Sequence, residues 1–160
     1  MNEQYGHDIE DLHIGMSASF AKTITEADIV LFAGVSGDNN VVHTNEEFSA
    51  STQFGARIAH GFLTASVISA AVANRLPGPG TVYLGQQLRF RAPVKPGDTV
   101  HATVTVKSVD VVKARAVLET VCRVRGTVVV DGEATVMTTS AAHRSALATL
   151  LPTCSPLCPS

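Results

Sequence analysis

Residues 61–75 form a helical stretch that is apolar on nearly every side and carries no charge before Arg75. Large apolar residues are interspersed with alanine and serine, whose small side chains let neighbouring backbone approach closely. A helix that is apolar nearly all round is a buried helix. The Pro-Gly-Pro-Gly segment at 77–80 ends it. The rest of the chain must therefore supply a surface that encloses this helix.

The second half of the chain predicts that surface, because its hydrophobic pattern changes to a period of two. We assign the turn between the last two strands to Gly126 rather than to Asp131-Gly132, and we interpret Gly132 as a β-bulge. Another strand is expected near residues 13–22. These features predict an α+β fold in which an antiparallel sheet wraps around one long central helix. The predicted late strands cover residues 82–90, 100–107, 115–125 and 128–137.

Shorter helices are predicted before residue 61. Thr25 is suited to cap a helix over residues 27–32, and the glycine- and asparagine-rich residues 34–40 end it. Thr44 or Asn45 can cap a second short helix. The 160 residues are enough for one domain, which we assign to residues 1–140. We expect residues 141–160 to form a C-terminal tail that is frayed at its proline-rich end.

Composition excludes several classes of protein. A chain with 45% hydrophobic and 16% charged residues is neither disordered nor a charged coiled coil. Its net charge of −2 predicts no nucleic-acid partner, and it has no apolar run long enough to cross a membrane. A polar, acidic start and three sparse cysteines predict a cytoplasmic protein. Cys154 and Cys158 have a metal-pair spacing without a second pair, so no metal site is predicted.

The segment with the most chemical content is residues 32–43, where Asp38 and His43 lie five residues apart across a loop. On a loop, both side chains can converge on one atom, and a carboxylate and an imidazole that share one water form a general acid–base pair. Asn40 could hold such a loop through side-chain hydrogen bonds to the backbone. From spacing alone, an Asx-turn followed by a surface histidine is the simpler interpretation.

The same segment resembles the signature of the MaoC-like, or hydratase-2, family of (R)-specific enoyl-CoA hydratases. The family pattern is an aromatic residue, then Ser-Gly-Asp-x-Asn-Pro-hydrophobic-His, then a small residue six positions later. Further similarity at 58–63, 83–90, 93–98 and 132–134 extends the resemblance over residues 12–138. Val41 stands where the family has proline, which removes a stiffening residue but no reacting group. The matching signature residues are Phe32, Ser36, Gly37, Asp38, Asn40, Val42, His43 and Ser49.

The resemblance implies a hot-dog fold, a homodimer and an acyl-CoA thioester substrate with no separate cofactor. The implied reaction is the reversible syn addition of water to a trans-2-enoyl-CoA, giving an (R)-3-hydroxyacyl-CoA. Asp38 and His43 would activate the water, and the backbone N–H of Gly61 would bind the thioester oxyanion. Elementary electrostatics supports that last role, because a helix N-terminus has free N–H groups and a positive dipole end. The supporting loop residues would be Ser36, Gly37 and Asn40.

Five further residues are candidate substrate contacts, and each has a structural alternative. His60 could instead cap or pack at the helix start, and Ser66 could be only a small helix residue. Tyr83 and Gln86 could simply be strand residues of the sheet. The five are His60, Phe62, Ser66, Tyr83 and Gln86.

Two other functions remain open on the residues themselves. One is a hot-dog acyl-CoA thioesterase, and the other is a non-catalytic acyl-CoA binding module, which would not need both Asp38 and His43. Residues 85–125 hold eight bases, including Arg89 and Arg91. These bases could be solvated strand faces or could contact the phosphates of coenzyme A.

Overall fold

The computed structural model describes residues 6–142. Within them, a short 3-10 turn at Ile9–Asp11 precedes four α-helices and five β-strands. The helices are α1 (Glu26–Ser36), α2 (Val41–Thr44), α3 (Glu46–Ala50) and α4 (Gly61–Asn74). The strands are β1 (Ser17–Thr23), β2 (Val82–Phe90), β3 (Thr99–Asp110), β4 (Arg115–Val124) and β5 (Thr127–Met137). None of these helices combines the length and apolar character that a membrane span requires.

The five strands form one antiparallel sheet in the order β1-β3-β4-β5-β2. Helix α4 packs against β1, β3 and β4, so the predicted architecture of a sheet around a long helix is confirmed. The helix is not buried on every side in the single chain, however. Its exposed stripe consists of Phe62, Ser66, Ser69 and Ala73. Its buried face consists of Leu63, Thr64, Val67, Ile68, Ala71 and Val72.

The β4–β5 turn lies where the sequence predicts it, at Arg125-Gly126. Both residues have positive φ (49° and 85°), as a two-residue type I′ hairpin requires. The predicted bulge at Gly132 is wrong: the register shifts at Val129, which lies between the residues that pair with Cys122 and Arg123. Gly132 stays in register with both neighbouring strands. Glycine is needed there because a Cβ would overlap the backbone carbonyl oxygen of Gln87 on β2.

Helix α1 begins where the sequence predicts it and ends four residues later than predicted. The hydroxyl of Thr25 accepts a hydrogen bond from the Asp28 N–H, and the Asp28 carboxylate accepts one from the Thr25 N–H (2.8 Å). Gly34 is accommodated inside the helix, and Gly37, with φ of 76°, ends it. The Asn45 side chain caps α3, which is the second short helix that the sequence predicts. The sequence does not predict α2. The expected tail lies outside the described residues from position 143 onward, so it stays a prediction.

We expect the Asp28→Asn variant to lose about 1 kcal/mol of unfolding free energy at neutral pH, because it weakens this cap. Hydrogen bonds from the Thr25 N–H and hydroxyl, aided by Lys22, lower the pKa of the Asp28 carboxyl. The stabilisation by the Asp28 carboxylate is therefore fully present above its unfolded-state pKa of about 4. It is lost as the pH falls through the folded-state pKa.

Urea unfolding of both proteins between about pH 7 and pH 3 measures this effect. The stability difference should narrow towards the acidic end. A difference independent of pH would contradict the role assigned to the carboxylate.

Candidate active site

The loop after α1 holds Asp38 through short-range hydrogen bonds. The Ser36 hydroxyl donates to the carbonyl of Phe32 (2.6 Å) and accepts from the N–H of Asp38 (3.2 Å). One carboxylate oxygen of Asp38, Oδ1, accepts from the N–H of Asn40 (3.2 Å). The left-handed backbone of Gly37 turns the chain into this loop. The other carboxylate oxygen, Oδ2, is left to face the next helix.

Helix α2 places His43 opposite that oxygen. The Asn40 side chain caps the helix by accepting from the N–H of Val42 (3.2 Å). His43 is buried, and its Nδ1 lies 2.8 Å from the carbonyl oxygen of Ile58. Because a carbonyl only accepts, Nδ1 carries the hydrogen, and Nε2 of the neutral ring presents a lone pair. Ser49, the small residue of the sequence signature, is buried and donates to the Asn45 carbonyl (2.7 Å).

Asp38 Oδ2 and His43 Nε2 are 4.0 Å apart. In this tautomer both atoms are acceptors, so they cannot hydrogen-bond each other directly, and a donor such as water can bridge them. A water 2.8 Å from each would be held at an angle of about 90°, within reach of its two hydrogens. The Asp38 side chain is half exposed, which leaves the position open to solvent. The structure therefore brings the predicted pair together around the space for one water.

The N-terminus of α4 borders the same region through a cavity of about 310 Å³, lined by His43 and Gly61. The N–H of Gly61 has no acceptor within its own helix, because the helix begins at this residue. The helix dipole adds positive potential there. Apolar side chains, among them Phe54, Ile58 and Phe90, form much of the wall. The cavity suits a partly apolar ligand with a developing negative charge at Gly61.

A second reason for glycine at position 61 is the ring of Phe90. A Cβ on Gly61 would lie 2.8 Å from Phe90 Cε1, closer than packed carbon atoms approach. The same ring meets Phe62 edge-on, with 5.7 Å between centroids. The strand end and the helix start are thus packed directly against each other.

His60 packs against His43 and is 1% exposed. Its Nε2 donates to the backbone carbonyl of Asp38 (3.0 Å), and its ring stacks on His43 with 3.9 Å between centroids. The packing alternative therefore describes its position, while its side chain makes no capping hydrogen bond.

The same three residues are the candidates for holding a metal ion. Ligand atoms of Asp38, His43 and His60 lie within 4.8 Å of one another. The two stacked rings are only 32° from parallel, so their in-plane lone pairs run side by side and converge poorly on one ion. The Nε2 hydrogen of His60 is also engaged by the Asp38 carbonyl. This geometry suits a bridging water better than a cation.

The other candidate contacts are not brought to this cavity within the chain. The Ser66 hydroxyl donates to the carbonyl of its own helix residue Leu63 (2.6 Å), and Phe62 is 68% exposed. Tyr83 donates to the Gln86 side chain (2.6 Å), and the Gln86 amide donates to Thr120 (3.1 Å). Burial raises the pKa of Tyr83 to about 12. Tyr83 is seven strand residues, about 23 Å, from the cavity end of β2.

Sequence reasoning missed Arg57, whose guanidinium donates to Glu26 (2.7 and 2.8 Å) and to Glu46 (2.7 Å). These bonds raise the pKa of Arg57. They fasten the segment that carries the Ile58 carbonyl, the partner of His43 Nδ1. The only sequence signal was a lone base following an acidic region, and its partners lie 31 and 11 residues earlier.

The fold and this geometry define a hot-dog protein with a carboxylate and an imidazole facing each other beside an apolar cavity. The structure is similar to the unliganded R-hydratase PhaJ1 from Pseudomonas aeruginosa, with a TM-score of 0.79 and 45% identity over 84% of this chain and 87% of that chain. It is also similar to the (R)-hydratase from A. caviae involved in PHA biosynthesis, with a TM-score of 0.78 and 38% identity over 81% and 98% of the two chains. The hot-dog prediction is confirmed.

The chain belongs to the MaoC-like family, because residues 12–131 match the family described as MaoC like domain. It is 54% identical to the (R)-specific enoyl-CoA hydratase of Rhodospirillum rubrum, over 82% of this chain and 91% of that protein. It is 49% identical to the 3-hydroxybutyryl-CoA dehydratase of Methylorubrum extorquens, over 79% and 81% of the two chains. The predicted family membership is confirmed.

The packing of Phe90 on Gly61 predicts that Gly61→Ala lowers the free energy of unfolding by about 1 kcal/mol, because the half-exposed ring must turn aside to admit the methyl group. Adding Phe90→Leu should restore part of that loss, because the smaller side chain gives the methyl group room. Urea denaturation of the three proteins measures both changes.

Gly34→Ala is the matched control, because a Cβ there meets nothing within 4 Å and the residue lies inside α1. It should be neutral or stabilising by up to about 1 kcal/mol. A Gly61→Ala protein as stable as the wild type would refute the packing argument.

Proposed function

We propose that this protein is an (R)-specific enoyl-CoA hydratase, a hydro-lyase that adds water reversibly to trans-2-enoyl-CoA to give (R)-3-hydroxyacyl-CoA. The observation that carries the proposal is the 4.0 Å separation of Asp38 Oδ2 and His43 Nε2 beside the cavity at Gly61. Relatives at 54% and 49% identity, named for enoyl-CoA hydration and 3-hydroxybutyryl-CoA dehydration, support the same reaction.

In the proposed mechanism, one water donates hydrogen bonds to Asp38 Oδ2 and His43 Nε2. Its oxygen forms a bond to C3 of the enoyl group while its proton passes to this pair. The pair delivers a proton to C2, so hydroxyl and hydrogen add to the same face. We treat the two groups as a coupled pair that shares both transfers. Positioned acid–base groups contribute about 10²–10⁴-fold to the rate.

Negative charge develops on the thioester oxygen while the C3–O bond forms. We assign its stabilisation to the N–H of Gly61, which a substrate carbonyl in the cavity could reach. A preorganised donor of this kind contributes about 10²–10³-fold. The roles that we assign to Asp38, His43 and Gly61 account for both proton transfers and for the developing negative charge, so we propose that no cofactor takes part. After dialysis against EDTA, the protein should hydrate enoyl-CoA at the same rate as untreated protein.

The central test uses crotonyl-CoA with Asp38→Asn and His43→Gln. Each variant should lower kcat by about 10²–10⁴-fold while its affinity for the 3-hydroxyacyl-CoA product stays near that of the wild type. Loss of enoyl absorbance measures the rate, and chiral analysis of the products from enoyl-CoAs of graded length measures stereochemistry and chain preference.

The exposed histidine of β3 supplies a matched control, His101→Gln, which should retain full activity. Free thiol release from acyl-CoA, in place of hydration, would indicate a thioesterase. Undiminished hydration by both site variants would overturn the assignment of Asp38 and His43.

We also propose that the protein is a homodimer. Two features support this: the exposed stripe of α4 and the edge strand β2. That strand pairs only with β5 among the described residues and exposes Val82, Leu84 and Phe90 by 44–50%. A second copy would cover both. For its location we propose the cytoplasm, where a reducing environment suits the free, buried thiol of Cys122.

Light scattering coupled to gel filtration should give twice the mass of one chain. Leu84→Lys should shift the protein towards monomer, because it places a charge on the proposed interface. Val112→Lys, on a residue that is 95% exposed in the β3–β4 turn, is the control and should leave the mass unchanged. A wild-type protein that elutes as a monomer at micromolar concentration would refute the dimer.

A further inference from the structure

His60 makes contacts that a residue serving only to fill space would not need. It is 1% exposed and sits between the rings of Phe32 and His43, at centroid distances of 4.9 and 3.9 Å. Its Nε2 lies 3.0 Å from the backbone carbonyl oxygen of Asp38. A carbonyl only accepts, so Nε2 carries the hydrogen of this bond.

The other ring nitrogen of His60 argues against packing as the sole reason for a histidine. Nδ1 is buried and has no hydrogen-bond partner among the described residues. Burying an unsatisfied polar atom costs stability. Phenylalanine would fill a similar volume between the same two rings without that cost. The feature that phenylalanine lacks is the Nε2–H donor to Asp38.

That donor ties the Asp38 loop to a different element of the fold. The hydrogen bonds described above for the loop are local: Ser36 to Asp38, and Asp38 to Asn40. His60 immediately precedes Gly61, the first residue of α4. One side chain therefore links the backbone of the proposed acid–base residue to the backbone that carries the proposed oxyanion donor.

We propose that His60 is a positioning residue for the hydration reaction, acting through its Nε2–H bond to the Asp38 carbonyl. This inference rests on the proposed function. The bond fixes the loop so that the Asp38 carboxylate faces His43, and the stacked ring fixes the plane of the His43 imidazole. Displacement of a reacting group by about 1 Å can cost about 10²-fold in rate, so loss of this tie should appear mainly in kcat.

Three substitutions separate the hydrogen bond from the volume of the ring. His60→Gln keeps an amide N–H near the position of Nε2. His60→Asn places the same amide nearer the position of Nδ1, too short to reach the carbonyl. His60→Phe keeps an aromatic ring and removes the donor.

With crotonyl-CoA, the Asn and Phe variants should lose about 10–10²-fold in kcat while KM changes by less than about threefold. The Gln variant should retain kcat within about fivefold of the wild type. Urea unfolding of the Phe variant should have a midpoint close to that of the wild type, because relief of the unsatisfied Nδ1 offsets the lost hydrogen bond. Ile24→Val, which removes one methylene from a fully buried core residue, controls for a general loss of stability and should keep its kcat.

Wild-type kcat in the Phe variant would overturn the proposal, and so would equal losses in the Gln and Asn variants. Crystal structures of the four proteins test the tie without any turnover. The distance between Asp38 Oδ2 and His43 Nε2 should stay near 4.0 Å in the Gln variant and lengthen in the Asn and Phe variants, and the same distance in all four proteins would refute the tie. A wild-type protein that hydrates no enoyl-CoA, in a series that shows this pattern of distances, would overturn the proposed function and leave the structural tie intact.

Discussion

The geometry of the proposed site depends first on the hydrogen bond between His43 Nδ1 and the Ile58 carbonyl, which is 2.8 Å long. It fixes the ring tautomer, so the lone pair of Nε2 is directed towards Asp38. The opposite tautomer would place a hydrogen on Nε2 and allow a direct bond to the carboxylate. Two acceptors 4.0 Å apart cannot bond each other, whereas one water can donate a hydrogen bond to each of them.

The fold brings that carbonyl to His43 by joining two distant segments. Residues 58–60 lead into α4, and the N–H of Ala59 donates to the carbonyl of Val94 just beyond β2 (2.7 Å). Packing of Phe90 on Gly61 closes the same junction from the other side. The helix that fills the core of the sheet therefore also delivers its N-terminus to the cavity. Core packing and site geometry depend on the same few contacts.

Features encoded locally could be predicted from the sequence. The α4 pattern, the alternating strands, the Thr25 cap and the turn at Gly126 all depend on neighbouring residues. The spacing of Asp38 and His43 suggested an Asx-turn with a surface histidine. The turn contact is present, but His43 is buried beneath elements far away in the chain. Only the family resemblance supplied that information.

Contacts between distant residues account for the errors and omissions. The bulge predicted at Gly132 is wrong, and nothing near this glycine in sequence reveals the close approach of Gln87 that requires it. The role of Arg57 could not be predicted because its partners, Glu26 in α1 and Glu46 in α3, are distant in sequence and more than half exposed. Dissolved ions screen charges at such exposed positions. The imidazole that we propose for catalysis is therefore held by the carbonyl of the residue next to Arg57, whose exposed ion pairs concentrated salt should weaken before it affects the apolar interior.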